Sequence, residues 1–158
     1  MTSPNKDVIS VLNELIEFSK DGEKGFKTSA EDVKNSQLKT YFLQRAGECG
    51  TAASELQHQV RALGGDPEDS TSVSGDLHRK WVDLKSMFTS KDEVAVLNEV
   101  ERGEDHALKA YKDALEKLSK LTMAPGSEAY ALVERQYHGV QRNHDQVKAL
   151  RNEARARA

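Results

Sequence analysis

The chain has 158 residues, a formal net charge of −3 with histidines neutral, 31% charged and 6% aromatic residues, and one cysteine. That length suits one domain with a single sizeable core, and the composition favours long helices over a sandwich or barrel. Cys49 alone excludes an internal disulfide, no basic stripe offers a nucleic-acid footprint, and no run approaches the ~20 apolar residues of a membrane span.

A lone thiol fits a reducing compartment. Residues 1–6 are not followed by the apolar region of a signal peptide. The expected location is cytoplasmic, with neither nucleic acid nor membrane as a partner. The basic tail of Lys148, Arg151, Arg155 and Arg157, interrupted by Glu153, reads as a solvated helix end.

Ser3-Pro4 resembles an N-cap followed by proline at the first helical position. Helix A, about 4 to 34, carries the seam Ile9, Leu12, Ile16, Ser19, Glu23, Phe26, Ala30 and Val33 at three- and four-residue spacing. Gly22 and Gly25 inside it each cost about 1 kcal/mol against alanine. They predict a close neighbouring helix, a widening around a site, or a simple kink. After the short break Asn35-Ser36, with Ser36 as the expected cap, helix B must run antiparallel to A. It spans about 37 to 63 with the seam Leu38, Phe42, Arg45, Cys49, Ala52, Leu56, Val60 and Leu63, and Gly64-Gly65 stops it.

A linker and a shorter amphipathic helix follow, within a crossover of about 64 to 90; Leu77, Trp81, Leu84 and Phe88 share one face of that helix. Ser90-Lys91-Asp92-Glu93 has the form of a capping box, so helix C runs from about 91 to 121. Its seam is Val94, Leu97, Glu101, Glu104, Leu108, Tyr111, Leu115 and Leu118. Ser127 caps helix D, about 128 to 154, whose seam reads Tyr130, Val133, Tyr137, Val140, His144, Val147 and then Leu150 or Arg151. Two short hairpins joined by one long crossover describe an all-α four-helix bundle of the ferritin-like kind, in which B and C run parallel.

Two glutamates on the helix C seam demand partners, because a carboxylate facing a core loses its hydration. With B parallel to C, Glu23, Cys49 with its neighbour Glu48, Glu104 and His144 lie about 11 to 13 residues from one end of the bundle, at nearly the same height. Glu101 and Arg45 pair similarly, about 9 to 10 residues in. Two readings follow. A metal site would use Glu23, Glu104 and His144, with Glu48 or Glu101 as further ligands, for iron or manganese. A structural network would have Arg45 neutralise Glu101 and His144 pair with Glu23 or Glu104, with the Tyr111 and Tyr137 hydroxyls satisfying the rest.

The di-iron pattern of such bundles needs Glu-x-x-His on two helices. Here threonine stands at Thr51 and glutamine at Gln141 where that pattern needs histidine and glutamate. Glu55 and His58 form a literal Glu-x-x-His, but about seven residues too far along helix B, where a surface pair is expected. Cys49 reads as a small core hydrophobe. A third reading is a module that docks a partner helix through an exposed apolar patch.

Asp21-Gly22-Glu23-Lys24-Gly25-Phe26, Glu101-Arg102-Gly103-Glu104-Asp105 and Gln141 through Leu150 resemble a bacterial family of unknown function described as ferritin-like four-helix bundles. The resemblance extends from about residue 7 to 151 and takes in the Leu-Gly-Gly stop and the Trp81 segment. It implies a ferritin-like fold and a stress-related role, without a demonstrated activity. The expectation is a non-enzymatic, self-associating bundle with a polar cluster centred on Glu23, Glu104 and His144.

Overall fold

The computed structural model describes residues 3–68, 93–121 and 127–157. Within them α1 spans Ser3–Asp32, α2 Ser36–Ala62, α3 Glu93–Leu121 and α4 Glu128–Arg157. The short crossover helix expected at about 76 to 89, and Ser90 of the expected capping box, lie outside the described residues.

Local chemistry sets the ends. Asn35, not Ser36, caps α2: its side-chain oxygen accepts from the backbone N–H of Gln37 at 2.9 Å and Leu38 at 3.1 Å. An amide oxygen one residue earlier reaches both orphan donors, which leaves Ser36 as the first helical residue. At the other end Gly64 adopts φ 85. Its N–H donates to Arg61 O and that of Gly65 to Val60 O, both at 3.0 Å, the paired bonds of a Schellman stop. Ser127 caps α4 as expected, its Oγ accepting from Tyr130 N at 3.1 Å.

The core falls into two clusters. One joins Val8 to Ile16 of α1, Leu56 and Val60 of α2, Ala107 to Leu118 of α3 and Ala129 to Val140 of α4. The other joins Phe26 and Ala30, Leu38 to Cys49, Val96 to Val100, and Val147 to Ala154. The first halves of α1 and α4 therefore share an end with the second halves of α2 and α3. This makes α2 parallel to α3 and α1 parallel to α4. Lateral packing joins α1 with α2, α3 with α4, α1 with α3 and α2 with α4. Every lateral pair is thus antiparallel, and the parallel pairs sit on the diagonals. Phe42, Leu12, Ile16, Leu56, Leu97 and Leu118 are fully buried, each worth roughly 1.5–3 kcal/mol of transfer free energy.

The inward seams of α3 and α4 differ from the expected ones. On α3, Leu97, Val100, Glu104, Ala107, Tyr111, Ala114 and Leu118 point in, while Glu101, Leu108 and Leu115 are half-buried flanks. On α4 the buried row is Ala129, Val133, Gln136, Val140, Asn143, Val147, Leu150 and Ala154, with Tyr137 and His144 beside it. Large side chains at flanking positions had masked a row that passes through two amides.

Gly22 meets the expectation of a close approach: a Cβ there would lie 2.9 Å from Cys49 Sγ on α2. Gly47 and Gly103 have no neighbour within 4 Å of an added Cβ. Gly47→Ala and Gly103→Ala should each raise stability by roughly 0.5–1 kcal/mol in urea titrations. Gly22→Ala should gain nothing or lose stability, because the Cys49 sulfur must move. A Gly22→Ala variant as stabilised as Gly47→Ala would remove the close-approach argument.

Candidate functional site

Between the two apolar clusters each helix contributes a polar stretch: Ser19 and Glu23 on α1, Gly50 to Glu55 on α2, Glu101 to His106 on α3 and Gln141 to Gln146 on α4. Arg45 on α2 and Glu104 on α3 meet at the centre, 5% and 3% exposed. Arg45 Nε donates to Glu104 Oε2 at 3.2 Å and Nη2 donates to Oε1 at 3.0 Å. Both carboxylate oxygens are held, in the fork geometry that arginine alone provides. The third nitrogen, Nη1, lies 3.4 Å from Glu48 Oε1 and 3.8 Å from Cys49 Sγ, and donates to both. The Phe26 ring covers the guanidinium at 5.1 Å. The Tyr41 hydroxyl is buried nearby, facing the charges of Arg45 and Glu104.

Burial and charge act against each other here. Burial opposes the Arg45 cation, but Glu104 and Cys49 beside it more than restore it, and its pKa stands above the ordinary arginine value. Burial raises the Glu104 carboxyl above its ordinary value against the pull of Arg45. Burial, reinforced by the Glu104 charge, raises Tyr41. Burial pushes the Cys49 thiol up to about 11, with Arg45 opposing and Glu104 and Glu48 adding to it.

The other expected residues take different places. Glu101 does not pair with Arg45; it forms an ion pair with Arg151, at the half-buried rim. Glu101 stands beside the inward row, rotated off it next to Val100, and Arg45 instead reaches the carboxylate on that row, Glu104. His144 pairs with neither Glu23 nor Glu104. Its Nε2 lies 2.7 Å from Asp105 Oδ1 and 3.9 Å from Glu101 Oε1. Glu23 is half-buried between α1 and α2, its carboxylate lying over Gly50, where a Cβ would come within 2.4 Å of Glu23 Oε2 and fall on it. Tyr111 is buried and donates to Gln136 Oε1 at 2.8 Å, while Gln136 Nε2 donates to Ala52 O at 3.3 Å and Glu55 Oε1 at 3.2 Å. Tyr137 is half-buried against the apolar cluster. Burial raises Tyr111 as well, with a Ser19 hydrogen bond opposing.

The sequence reading missed Tyr41, Gln136, Asn143 and Asp105. The 4-3 spacing that runs Val133, Gln136, Val140, Asn143, Val147 was a usable signal, because amides on such a row need buried partners. Tyr41 beside Phe42 carried no such sign. Glu55 pairs with Arg135 at 2.8 Å, and His58 is exposed, as a surface Glu-x-x-His should be. The basic tail is only partly solvated, since Arg157 bonds Glu93 at 3.0 Å and Arg151 holds Glu101.

The model of a family described as a domain of unknown function, DUF2383, matches residues 7–117. The chain belongs to that family. A crystal structure described as ferritin like, diiron-carboxylate proteins from Bacillus anthracis str. Ames superposes with a TM-score of 0.72. The match covers 95% of this chain and 99% of that one at 19% identity. At that identity the likeness establishes the fold, a ferritin-like four-helix bundle. No curated protein matches the chain. No helix among the described residues is long and apolar enough to cross a membrane.

The side chains as placed do not fit a metal ion. A metal needs several carboxylate or imidazole ligands turned on one point. Both oxygens of Glu104 are already taken by a guanidinium, Glu101 is held by Arg151, and no three His, Cys, Asp or Glu side chains among the described residues are placed to hold an ion.

The Cys49 thiol gives a pH prediction. Its folded pKa of about 11 stands above the ordinary 9.0. The protonated thiol is favoured in the fold, so its contribution is fully present below the unfolded value and is lost as pH rises through the folded one. Unfolding free energy should fall by about 2–3 kcal/mol from this group as pH rises from about 8 to about 11. Cys49→Ala should flatten that slope in urea titrations at each pH. An unchanged slope would show that the thiol is not the group responsible.

Proposed function

We propose that this protein is a non-enzymatic ferritin-like bundle, structural or stress-associated, whose polar layer fixes helix register by internal ion pairing. The observation that carries this reading is the double hold of Arg45 on Glu104. A carboxylate so engaged is neither a free base nor an open ligand, and a buried pair is best suited to specifying which helices meet and at what height. The same reading takes the protein to be cytoplasmic and homo-oligomeric, the second of which light scattering of the purified protein tests directly.

Glu104→Ala strands the Arg45 cation and should cost about 3–5 kcal/mol. Replacing both partners with apolar residues, Arg45→Met with Glu104→Leu, should be neutral or stabilising in urea titration. A Glu104→Ala variant that melts with the wild type would sink the reading.

A second reading is supported by the diiron-carboxylate description of the structural neighbour. In it, iron or manganese binds through Glu23, Glu104 and His144, with Glu48 or Glu101 as further ligands, which requires Arg45 to leave Glu104 and, where Glu101 binds, Arg151 to leave Glu101. Elemental analysis of protein purified without a metal-affinity tag separates the two. Near-stoichiometric iron or manganese, lost in Glu23→Ala and Glu104→Ala, would make the metal reading primary. Metal-free protein that takes up none on titration supports the structural one.

A further inference from the structure

The inward rows of α3 and α4 nearly repeat every seven residues. On α4, Val133, Val140 and Val147 recur at that spacing, and all three are buried. On α3, Leu97 and Leu118 share one phase, with Glu104 and Tyr111 between them. A slide of the α3–α4 hairpin along the α1–α2 hairpin by seven residues is about 10 Å. It sets one valine in the place of another and changes the apolar packing of α4 little. The same slide brings Leu97 to the height of Glu104, and Asn143 to the height of Gln136. The polar side chains are what tell the two registers apart.

Gln136 is placed to read that difference. Tyr111 Oη donates to Gln136 Oε1 at 2.8 Å, and Ser19 hydrogen-bonds the Tyr111 hydroxyl. The Gln136 amide nitrogen donates to Ala52 O at 3.3 Å and Glu55 Oε1 at 3.2 Å. The run from Ser19 through Tyr111 and Gln136 to Ala52 passes through all four helices. The amide fits one way round only, because the Ala52 carbonyl and the Glu55 carboxylate accept and cannot donate. Ala52 O belongs to the main chain, so it marks a fixed height on α2. In the displaced register Asn143, one methylene shorter, stops short of that carbonyl. Gln136 would move toward Val8, Ile9 and Val60, where its two donors face apolar side chains. We propose that Gln136 is a register-determining residue, a second lock that fixes the height at which the two hairpins dock. The inference rests on the structural reading of the polar layer and extends it from one lock to two. Arg45 and Ala52 stand about 10 Å apart along α2, so the ion pair and the amide hold the hairpins at separate heights, as single polar residues fix register in coiled coils.

Spin labels at two exposed positions, His58→Cys on α2 and Glu134→Cys on α4, read the register by pulsed electron resonance in a Cys49→Ala background. Circular dichroism checks that each sample is folded. The labelled parent should give one distance. Arg45→Met with Glu104→Leu should also give one, because Gln136 still holds. Tyr111→Phe with Gln136→Leu should give one as well, because the ion pair still holds. Combining all four changes should add a second distance, from molecules displaced by about 10 Å along the axis. If the combination does not fold, Gln136→Leu added alone to Arg45→Met and Glu104→Leu replaces it with the same expectation. One distance in the folded combination, or in that replacement, overturns the proposal. A second distance in Arg45→Met with Glu104→Leu overturns it too, and leaves the ion pair as the sole lock, so the earlier reading stands. A second distance in Tyr111→Phe with Gln136→Leu upholds Gln136 and instead removes the register role given to the ion pair.

Discussion

The constraint on which this bundle depends is a pair of opposite charges where water does not reach. Removing an arginine and a glutamate from solvent costs several kcal/mol for each ion, and Coulombic attraction restores it only with good geometry and further hydrogen bonds. Arg45 and Glu104 meet both conditions through two parallel contacts, a third nitrogen turned to Glu48 and Cys49, and an aromatic face on the cation. Neighbouring features follow from this. The helices that carry the pair are diagonal, so α1 and α4 must leave the centre open to it. Glycine at position 22 lets α1 close on Cys49 beside the pair without adding bulk.

Around the dry centre lies a wetter ring. Arg151 with Glu101, both half-buried, and half-buried His144 with exposed Asp105 occupy the α3–α4 seam. Exposed Arg135 pairs with half-buried Glu55 between α2 and α4. Such rim pairs contribute little individually. Histidine and carboxylates that sit at one height along the bundle are thus divided between an inner pair and outer partners, which a count of residues along a helix cannot distinguish.

That division marks what could be read from sequence. The four long helices, their directions and the Leu63-Gly64-Gly65 stop followed from periodicity and turn chemistry, because those rules are largely local. Glu104 stood out because an acid interrupted an apolar row, and Arg45 because it did the same on α2. Their pairing was missed by one helical turn: height along the axis placed Arg45 near Glu101, but rotation about α3 faces Glu104 inward instead. On α4 the error was one of phase. Tyr137 and His144 looked like the buried row because they are large, whereas Gln136 and Asn143 occupy it. Partner choice depends on helix rotation, a tertiary property that a single-helix pattern leaves open when both flanks carry apolar side chains.

The diagonal placement also bears on how the chain folds. The contacts between α1 and α2, and between α3 and α4, close over short loops, but Arg45 and Glu104 are 59 residues apart. Each hairpin can gather its own apolar stripe early, at low loop-closure cost. The ion pair needs both hairpins docked, and it closes a far longer loop than either hairpin does. Interactions absent from the folding transition state act on the rate of unfolding and not on the rate of folding. A pair that closes only on docking is thus a latch on the assembled bundle, and the lifetime of the native state is the quantity on which such a latch acts.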